Sequence, residues 1–266
     1  MSVRSLVPWL LYGLFGLALA QPACGPYRVA FYDLGLLHYR DASGMARGID
    51  VDLIEALAER SGCRFETTLE SRVRIWAQMA EGRLDITVSG IPTPEREQFA
   101  EFVPYFVTRN LLVVRRDLPP QARSPEGFLA QASLSVGVVK SFKHGAVYDA
   151  WLDRLRAGGR VVTTGDFDTL VRLFQARRID AFLTLPTSWM PKAGAAGGAA
   201  PVDLLDWSPK EALVHGLVLS RSRLPPEVRG RLRAAIDAMH RDGSLQRMLS
   251  RHVGEDLARK MLVPMP

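Results

Sequence analysis

The chain has 266 residues, 47% of them hydrophobic and 23% charged, with 17 Pro and 22 Gly. Those proportions fit a globular protein and exclude a disordered, collagen-like or disulfide-dense scaffold; the length suits one large domain or two lobes. The formal net charge of +6 comes from scattered residues without a run of five or more like charges, which argues against a nucleic-acid stripe and for a solvated surface with an excess of Arg.

Residues 1–20 have the plan of a cleavable export signal. Arg4 supplies a positive start, Leu6 to Leu19 is almost wholly apolar, and Ala18-Leu19-Ala20 offers the small-x-small pattern that a signal peptidase cuts after. The apolar stretch falls short of the roughly 20 residues that span a bilayer. Gln21-Pro22-Ala23 ahead of Cys24 lacks the leucine of a lipoprotein signal. The mature chain is expected to be exported and soluble, starting near Gln21.

Export makes the two cysteines informative. Cys24 precedes the strand-like run Tyr27 to Tyr32, and Cys63 precedes the strand-like run Arg64 to Leu69. If these runs are adjacent parallel strands, both cysteines sit at one edge of the sheet within bridging distance. An oxidising compartment favours a Cys24–Cys63 disulfide over two free buried thiols. Closing that loop is worth about 4 kcal/mol in the chain-entropy account.

Strands then alternate with helices. A helix is expected from about Asp50 to Ser61, with Val51, Ile54, Leu57 and Ala58 on one face and Gly62 as its stop. A second runs near Val73 to Glu81, and Leu84 to Val88 is a third strand. This βαβαβ rhythm predicts a parallel sheet covered on both faces. Leu111 to Val114 is β-prone, and Pro119-Pro120 with Ser124-Pro125 marks a change of neighbourhood. The rhythm restarts with strand Leu134–Val139, helix Lys143–Arg156 and strand Arg160–Thr163. A helix over Asp168–Arg177, capped by Asp166, leads to strand Ile179–Leu183. The Gly/Ala stretch Ala193 to Ala200 reads as a loop. Strand Val214–Leu219 and helices Pro226–Arg241 and Ser244–Val253 finish the chain.

At this point motifs accumulate. Gly48-Ile49-Asp50-Val51-Asp52-Leu53 resembles the G-F-D-V-D-L segment of bacterial periplasmic solute-binding proteins of the polar-amino-acid class. Gly82-Arg83-Leu84-Asp85-Ile86 is similar to their G-K-x-D strand entry, Thr93-Pro94-Glu95-Arg96 to their T-P-E-R, and Pro104-Tyr105 to a P-Y pair. Gly137-Val138-Val139, Arg178-Ile179-Asp180-Ala181 and Arg241-Asp242-Gly243-Ser244-Leu245 match in the same order. The resemblance implies a two-lobed α/β fold of periplasmic-binding-protein type II. Two crossing strands, at Leu111 and Leu217, would form the hinge. Lobe I would comprise residues 21–110 plus 216–266, and lobe II residues 111–215. It also implies a monomeric periplasmic protein without cofactor or nucleic acid, which captures a small carboxylate-bearing solute and hands it to a membrane permease of an ABC transporter.

The physics of the expected site agrees with that family. Thr93 is a good N-cap and Pro94 fits the first helical position, so a short helix starts right after the third strand. Arg96 in its first turn can present a bidentate fork to a carboxylate. An isolated T-P-E-R would instead read as a surface arginine paired with Glu95 or Glu97. Ser89, Gly90 and Ile91, at the end of the same strand, are expected to line the pocket, because such sheets bind at that edge. Ser141 and Phe142 stand where relatives place a Gly-Thr-Thr run. Ser141 reads as a ligand contact or an ordinary N-cap, and Phe142 as a stacking ring or a core aromatic.

The departures bear on the ligand. The family aspartate that pairs with an ammonium is Leu185 here, and the clamping aromatic is replaced by Leu37. The segment from Asp85 to Arg96 is one residue shorter than the family pattern. A carboxylate anchor without an ammonium anchor argues for an organic acid over a standard amino acid, with Asp33 or Asp206 as a substitute partner if an amino acid binds. Arg72 and Arg74 would favour a second negative group if they face the cleft, but solvation on the surface is the preferred reading. His38, His144, His215, His240 and His252 show no metal-ligand spacing, and no nucleophile elbow, Walker loop or dinucleotide fingerprint occurs. A dehydratase on the same fold, with Glu211 or Asp33 as its acid, and an accessory or sensor-input role remain the alternatives.

Overall fold

The computed structural model describes residues 24–195 and 201–263. The expected leader, residues 1–20, lies outside the described residues, as do residues 196–200 of the Gly/Ala stretch.

The two cysteines open two parallel strands. β1 (Cys24–Phe31) is followed by a small hairpin of β2 (Tyr39–Arg40) and β3 (Ala46–Arg47), helix α1 (Ile49–Ser61) and β4 (Cys63–Leu69). Cys24 and Cys63 are register partners with Cα atoms 4.4 Å apart, and they are disulfide-bonded, as the strand-adjacency argument expects. Then come α2 (Arg72–Ala80), β5 (Ile86–Gly90), α3 (Pro94–Glu97) and β6 (Ala100–Thr108). Strand β6 was not foreseen. Pro104 interrupts its pattern, and a proline argues against a paired strand unless it sits at an edge or a bulge. Here it does both: β6 is the last strand of its sheet, and Pro104 faces Gly216 beside a register shift.

β7 (Leu111–Arg115) begins the second half, followed by α4 (Pro125–Ala130), β8 (Val136–Val139), α5 (Ala146–Ala157), β9 (Val161–Thr164), α6 (Phe167–Gln175) and β10 (Ala181–Thr184). Asp166 caps α6 as expected, its carboxylate accepting from the Thr169 N–H. Helix α7 (Pro186–Ala195) occupies the start of the stretch expected as a loop, carrying Pro191 within it. β11 (Val202–Leu205), β12 (Leu213–Ser220), α8 (Pro226–Arg241), α9 (Ser244–Val253) and α10 (Glu255–Met261) complete the chain.

The strands form two five-stranded sheets, in the orders β4-β1-β5-β12-β6 and β11-β7-β10-β8-β9. β1 pairs in parallel with β4 and β5, and β8 with β9 and β10, whereas β12, β6, β7 and β11 join antiparallel. The expected crossing strands need correction. The Leu111 run stays in the second sheet and the Leu217 run in the first; the chain changes sheets in the loops at 109–110 and 206–212. β12 pairs with β6 from Leu213 onward, so the return is complete before residue 216.

One apolar core packs α1, α8 and α9 against the first sheet and continues into Phe167, Phe182, Leu185 and Trp189 of the second half. A second core, around Phe128, Tyr148, Trp151 and Leu152, supports the far side of the second sheet. The two halves also touch through backbone: the Leu36 N–H donates to the Thr187 carbonyl at 2.9 Å. Gly35 permits that approach, because a Cβ there would lie 2.4 Å from the Ser188 Cα. Among the described residues no helix is long and apolar enough to cross a membrane.

Candidate functional site

A cavity of about 550 Å³ lies between the two sheets. Its walls are the ends of parallel strands and the residues just beyond them: Tyr32 to Leu34 after β1, Leu69 to Ser71 at the end of β4, Val139 of β8, and Gly165 to Phe167 after β9. Ligands of open α/β sheets bind at this carboxyl edge. A neighbouring cavity of about 690 Å³ shares Asp33, Asp166 and Phe167 with it and runs along α6 and α7.

Arg72, the first residue of α2, is the charge of this cavity. Its side chain lies only 4% exposed, its Cζ is 4.3 Å from the Tyr32 ring centroid and 4.6 Å from that of Phe142, and among the described residues none of its three nitrogens has a hydrogen-bond partner. The preferred sequence reading, a solvated surface arginine, is therefore wrong for Arg72. Arg74 fits it better, being exposed and paired with Glu70 at 3.0 Å.

Arg96 is placed by the helix start that the sequence predicted: the Thr93 Oγ accepts from its backbone N–H, and Pro94 follows the cap. Its side chain is 7% exposed, stacked at 3.6 Å over the Trp76 ring. Nη1 donates to the Ile91 carbonyl at 2.9 Å and Nη2 to the Ser141 carbonyl at 3.1 Å, which ties α3 to the loop after β8. Neither Glu95 nor Glu97 pairs with it among the described residues. Burial, and after it the positive charge of Arg72, pulls the guanidinium down to about 10. Arg96 is thus buried at the junction of the halves, but it lies beside the larger cavities, not in their walls.

The other expected residues divide. Phe142 reaches the cavity as a stacking ring, on Arg72, and Ser141 contributes its carbonyl in a left-handed conformation (φ 63°). Leu185 is buried beside Phe142 and Phe167 at a small void. Leu37 is a correction: it is fully buried in the first core, one turn from Leu34, which does line the cavity. Ser89 is also corrected. Its Oγ donates to the Asp50 carboxylate at 2.8 Å, its N–H donates to the Tyr105 hydroxyl, and its carbonyl faces Tyr32 Oη and His215 Nδ1. Gly90 packs inward as well, since a Cβ would lie 2.2 Å from Val218 Cγ2.

Ser89 belongs instead to a buried polar cluster that was quoted in the motifs but given no role. Asp50 accepts from Ser89 and from the Tyr105 hydroxyl, and burial raises its carboxyl to about 7. His215 is stacked 4.4 Å from Phe106, and burial lowers it to about 3. An aspartate beside the apolar face of the helix that starts in Gly48–Leu53 was the available signal: Asp52 is exposed enough to pair with Arg251, but Asp50 points inward.

The two acids considered for catalysis are engaged. Glu211 accepts from the Ala146 N–H and from Ser208 Oγ, capping α5 away from the cavity. Asp33 lines both cavities, with a 60% exposed side chain paired to His38 Nδ1 at 2.7 Å. Asp206 pairs with Arg109. Among the described residues no group of three or more His, Cys, Asp or Glu is placed to hold a metal ion.

Comparison with known proteins agrees with this geometry. The family model for bacterial extracellular solute-binding proteins, family 3, matches residues 33–255. A comparison with curated proteins gave no match. Similar solved structures include the arginine-, lysine-, histidine-binding protein ArtJ from Geobacillus stearothermophilus (18% identity, TM-score 0.73, covering 86% of this chain and 96% of that one). The ancestral amino-acid-binding protein AncCDT-1, a precursor of cyclohexadienyl dehydratase, is 20% identical (TM-score 0.68, 85% and 94%). A histidine kinase sensor domain with similarity to periplasmic binding proteins is 18% identical (TM-score 0.72, 92% and 100%). These likenesses establish the two-lobed fold.

Proposed function

The chain belongs to the bacterial extracellular solute-binding proteins of family 3, and from that premise we propose that it captures a small carboxylate-bearing solute between its sheets for delivery to an ABC-transporter permease. The observation that carries the reading is the pair of buried arginines, Arg72 and Arg96, each held by the loop Ser141-Phe142 of the opposite half and neither paired with a carboxylate among the described residues. Buried guanidinium groups are stable in such surroundings when an anion completes them. Export through residues 1–20, a periplasmic location, a monomeric state and lobes hinged at residues 109–110 and 206–212 belong to the same proposal.

A thermal-shift screen tests it, with keto acids, dicarboxylates and aromatic acids alongside the common L-amino acids. A ligand at 100 times its Kd adds about 2.7 kcal/mol, which moves Tm by roughly 5–10 °C for a chain of this size. Failure of every carboxylate to shift Tm would sink the reading. Tight binding of an unmodified amino acid would keep the site and shift attention to Asp33 as the ammonium partner, since it alone of the two substitute candidates reaches the cavity. Conversion of a cyclic hydroxy acid would favour the dehydratase alternative; Glu211 is already committed to capping α5, which counts against it.

A further inference from the structure

We propose that Arg72 is a second anion-binding residue of the cleft, so that the solute is a small organic acid with two negative groups, one for Arg96 and one for Arg72. The inference rests on the solute-binding reading above and narrows its substrate class.

The argument begins with what Arg72 lacks. A guanidinium carries five N–H donors in its plane and no acceptor. The rings of Tyr32 and Phe142 pack against it, which offsets part of the cost of burial but uses none of those donors. Among the described residues no side-chain nitrogen of Arg72 has a partner, although the residue is almost wholly buried in the cavity wall. Leaving a charged donor set in this state is unfavourable enough that an acceptor of opposite charge is the natural complement.

The carboxylates around the cavity do not supply it. Glu70 is bound to Arg74, Asp33 to His38, and Asp166 to the Thr169 N–H and hydroxyl. The buried Asp50 receives hydrogen bonds from Ser89 and Tyr105. Arg96 meets only neutral carbonyls and keeps further N–H donors beyond the two it uses. Neither arginine is therefore paired with a carboxylate among the described residues, and the positive charge of Arg72 is felt at Arg96. The start of α2 adds to the field: Ser71 Oγ serves the Arg74 N–H, which leaves the first-turn N–H groups of Arg72 and Val73 without intrahelical acceptors. A volume of about 550 Å³ falls in the range of sites for small molecules.

The test is calorimetric titration of the mature protein with linear dicarboxylates from malonate to adipate, each against the monocarboxylate of the same length, and with isophthalate against benzoate. We expect at least one dicarboxylate to bind about 30-fold or more tightly than its monocarboxylate partner, the loss typical of a buried charge pair deprived of one member. Arg72→Leu should remove that advantage, bringing the dicarboxylate down to about the affinity of its monocarboxylate partner; Arg72→Lys should restore part of it. Circular dichroism checks that each variant folds, and the wild-type series decides alone if Arg72→Leu does not. Monocarboxylates binding as well as dicarboxylates, or an Arg72→Leu protein that retains the dicarboxylate preference or loses both ligand types equally, would overturn the proposal while leaving the solute-binding reading in place. No binding of either type would overturn both.

Discussion

Asp50 and His215 make opposite demands on protons, and their opposition can be separated by mutation. Burial raises the Asp50 carboxyl from 3.8 to about 7, so the folded chain keeps a proton that the unfolded chain releases above pH 4. Stability from this group is present at low pH and is lost as pH rises through about 7, a change of about 4 kcal/mol. Burial lowers the His215 imidazole from 6.5 to about 3, so the unfolded chain takes up a proton that the folded chain refuses. Its contribution is present above pH 6.5 and is lost as pH falls towards 3, about 5 kcal/mol in all. Between pH 4 and 6.5 the two slopes nearly cancel.

Single substitutions should expose each slope. Asp50→Asn, which keeps an oxygen for Tyr105 and Ser89, should leave stability rising by about 3 kcal/mol from pH 4 to 6.5, and His215→Phe should leave it falling by a similar amount. Urea unfolding at pH 4, 5.2 and 6.5 reads this as a movement of the midpoint by about 1 M or more, in opposite directions for the two variants. His144, also lowered by burial, contributes equally to all three proteins and drops out of the comparison. The carboxylates Asp41 and Asp242, which their hydrogen-bond partners hold low, titrate below this window. An Asp50→Asn protein with the same profile as wild type would refute the account of a carboxyl that folds in its neutral form.

Replacing Cys24 and Cys63 by Ser should lower stability by about 4 kcal/mol, given their separation of 39 residues, and Tm by roughly 8–16 °C; a loss under about 1 kcal/mol would count against the loop-entropy estimate. Arg96→Ala should weaken binding of any carboxylate ligand by about 30-fold or more, and titration showing unchanged affinity would remove Arg96 from the site. Ligand should draw the two halves together, so small-angle scattering should give a smaller radius of gyration with a bound acid than without; identical curves at saturating ligand would contradict a hinge at 109–110 and 206–212.

Much of the fold was legible because its elements carry local signals. Helices α8 and α9 run between the same residues that the sequence indicated, since Pro225-Pro226 fixes one start and Asp242-Gly243 separates the two. The disulfide followed from strand order and compartment. Strand β6 and helix α7 were missed for one physical reason: each holds an internal proline that local rules penalise, and each tolerates it through tertiary context. The site was less legible than the fold. T-P-E-R identified Arg96 because a cap and a proline fix where a helix begins. Whether Ser89 faces the cavity is instead decided by a backbone turn at the strand end, where Ser89 has φ 50°, and whether Arg72 does so by where α2 begins. Strand periodicity alone does not reveal that turn.

That turn links the core to the cavity. By pointing inward, Ser89 gives its hydroxyl to Asp50 and its carbonyl to Tyr32 Oη and His215. Tyr32 is thereby held from behind by the buried cluster while its ring packs against Arg72. Phe142, which also packs against Arg72, comes from the opposite half on the same loop whose Ser141 carbonyl binds Arg96. The two arginines are therefore positioned by different means: Arg96 by its own capped helix, Arg72 by an aromatic pair contributed from both sides of the cleft. Opening the cleft would withdraw Phe142 from Arg72 and Ser141 from Arg96 together. Each guanidinium would then be rehydrated, and the positive field that selects an anion would be weakened. On the proposed hinge, closure and charge recognition would be one event, because the loop that would shut the cleft is the one packed against both cations.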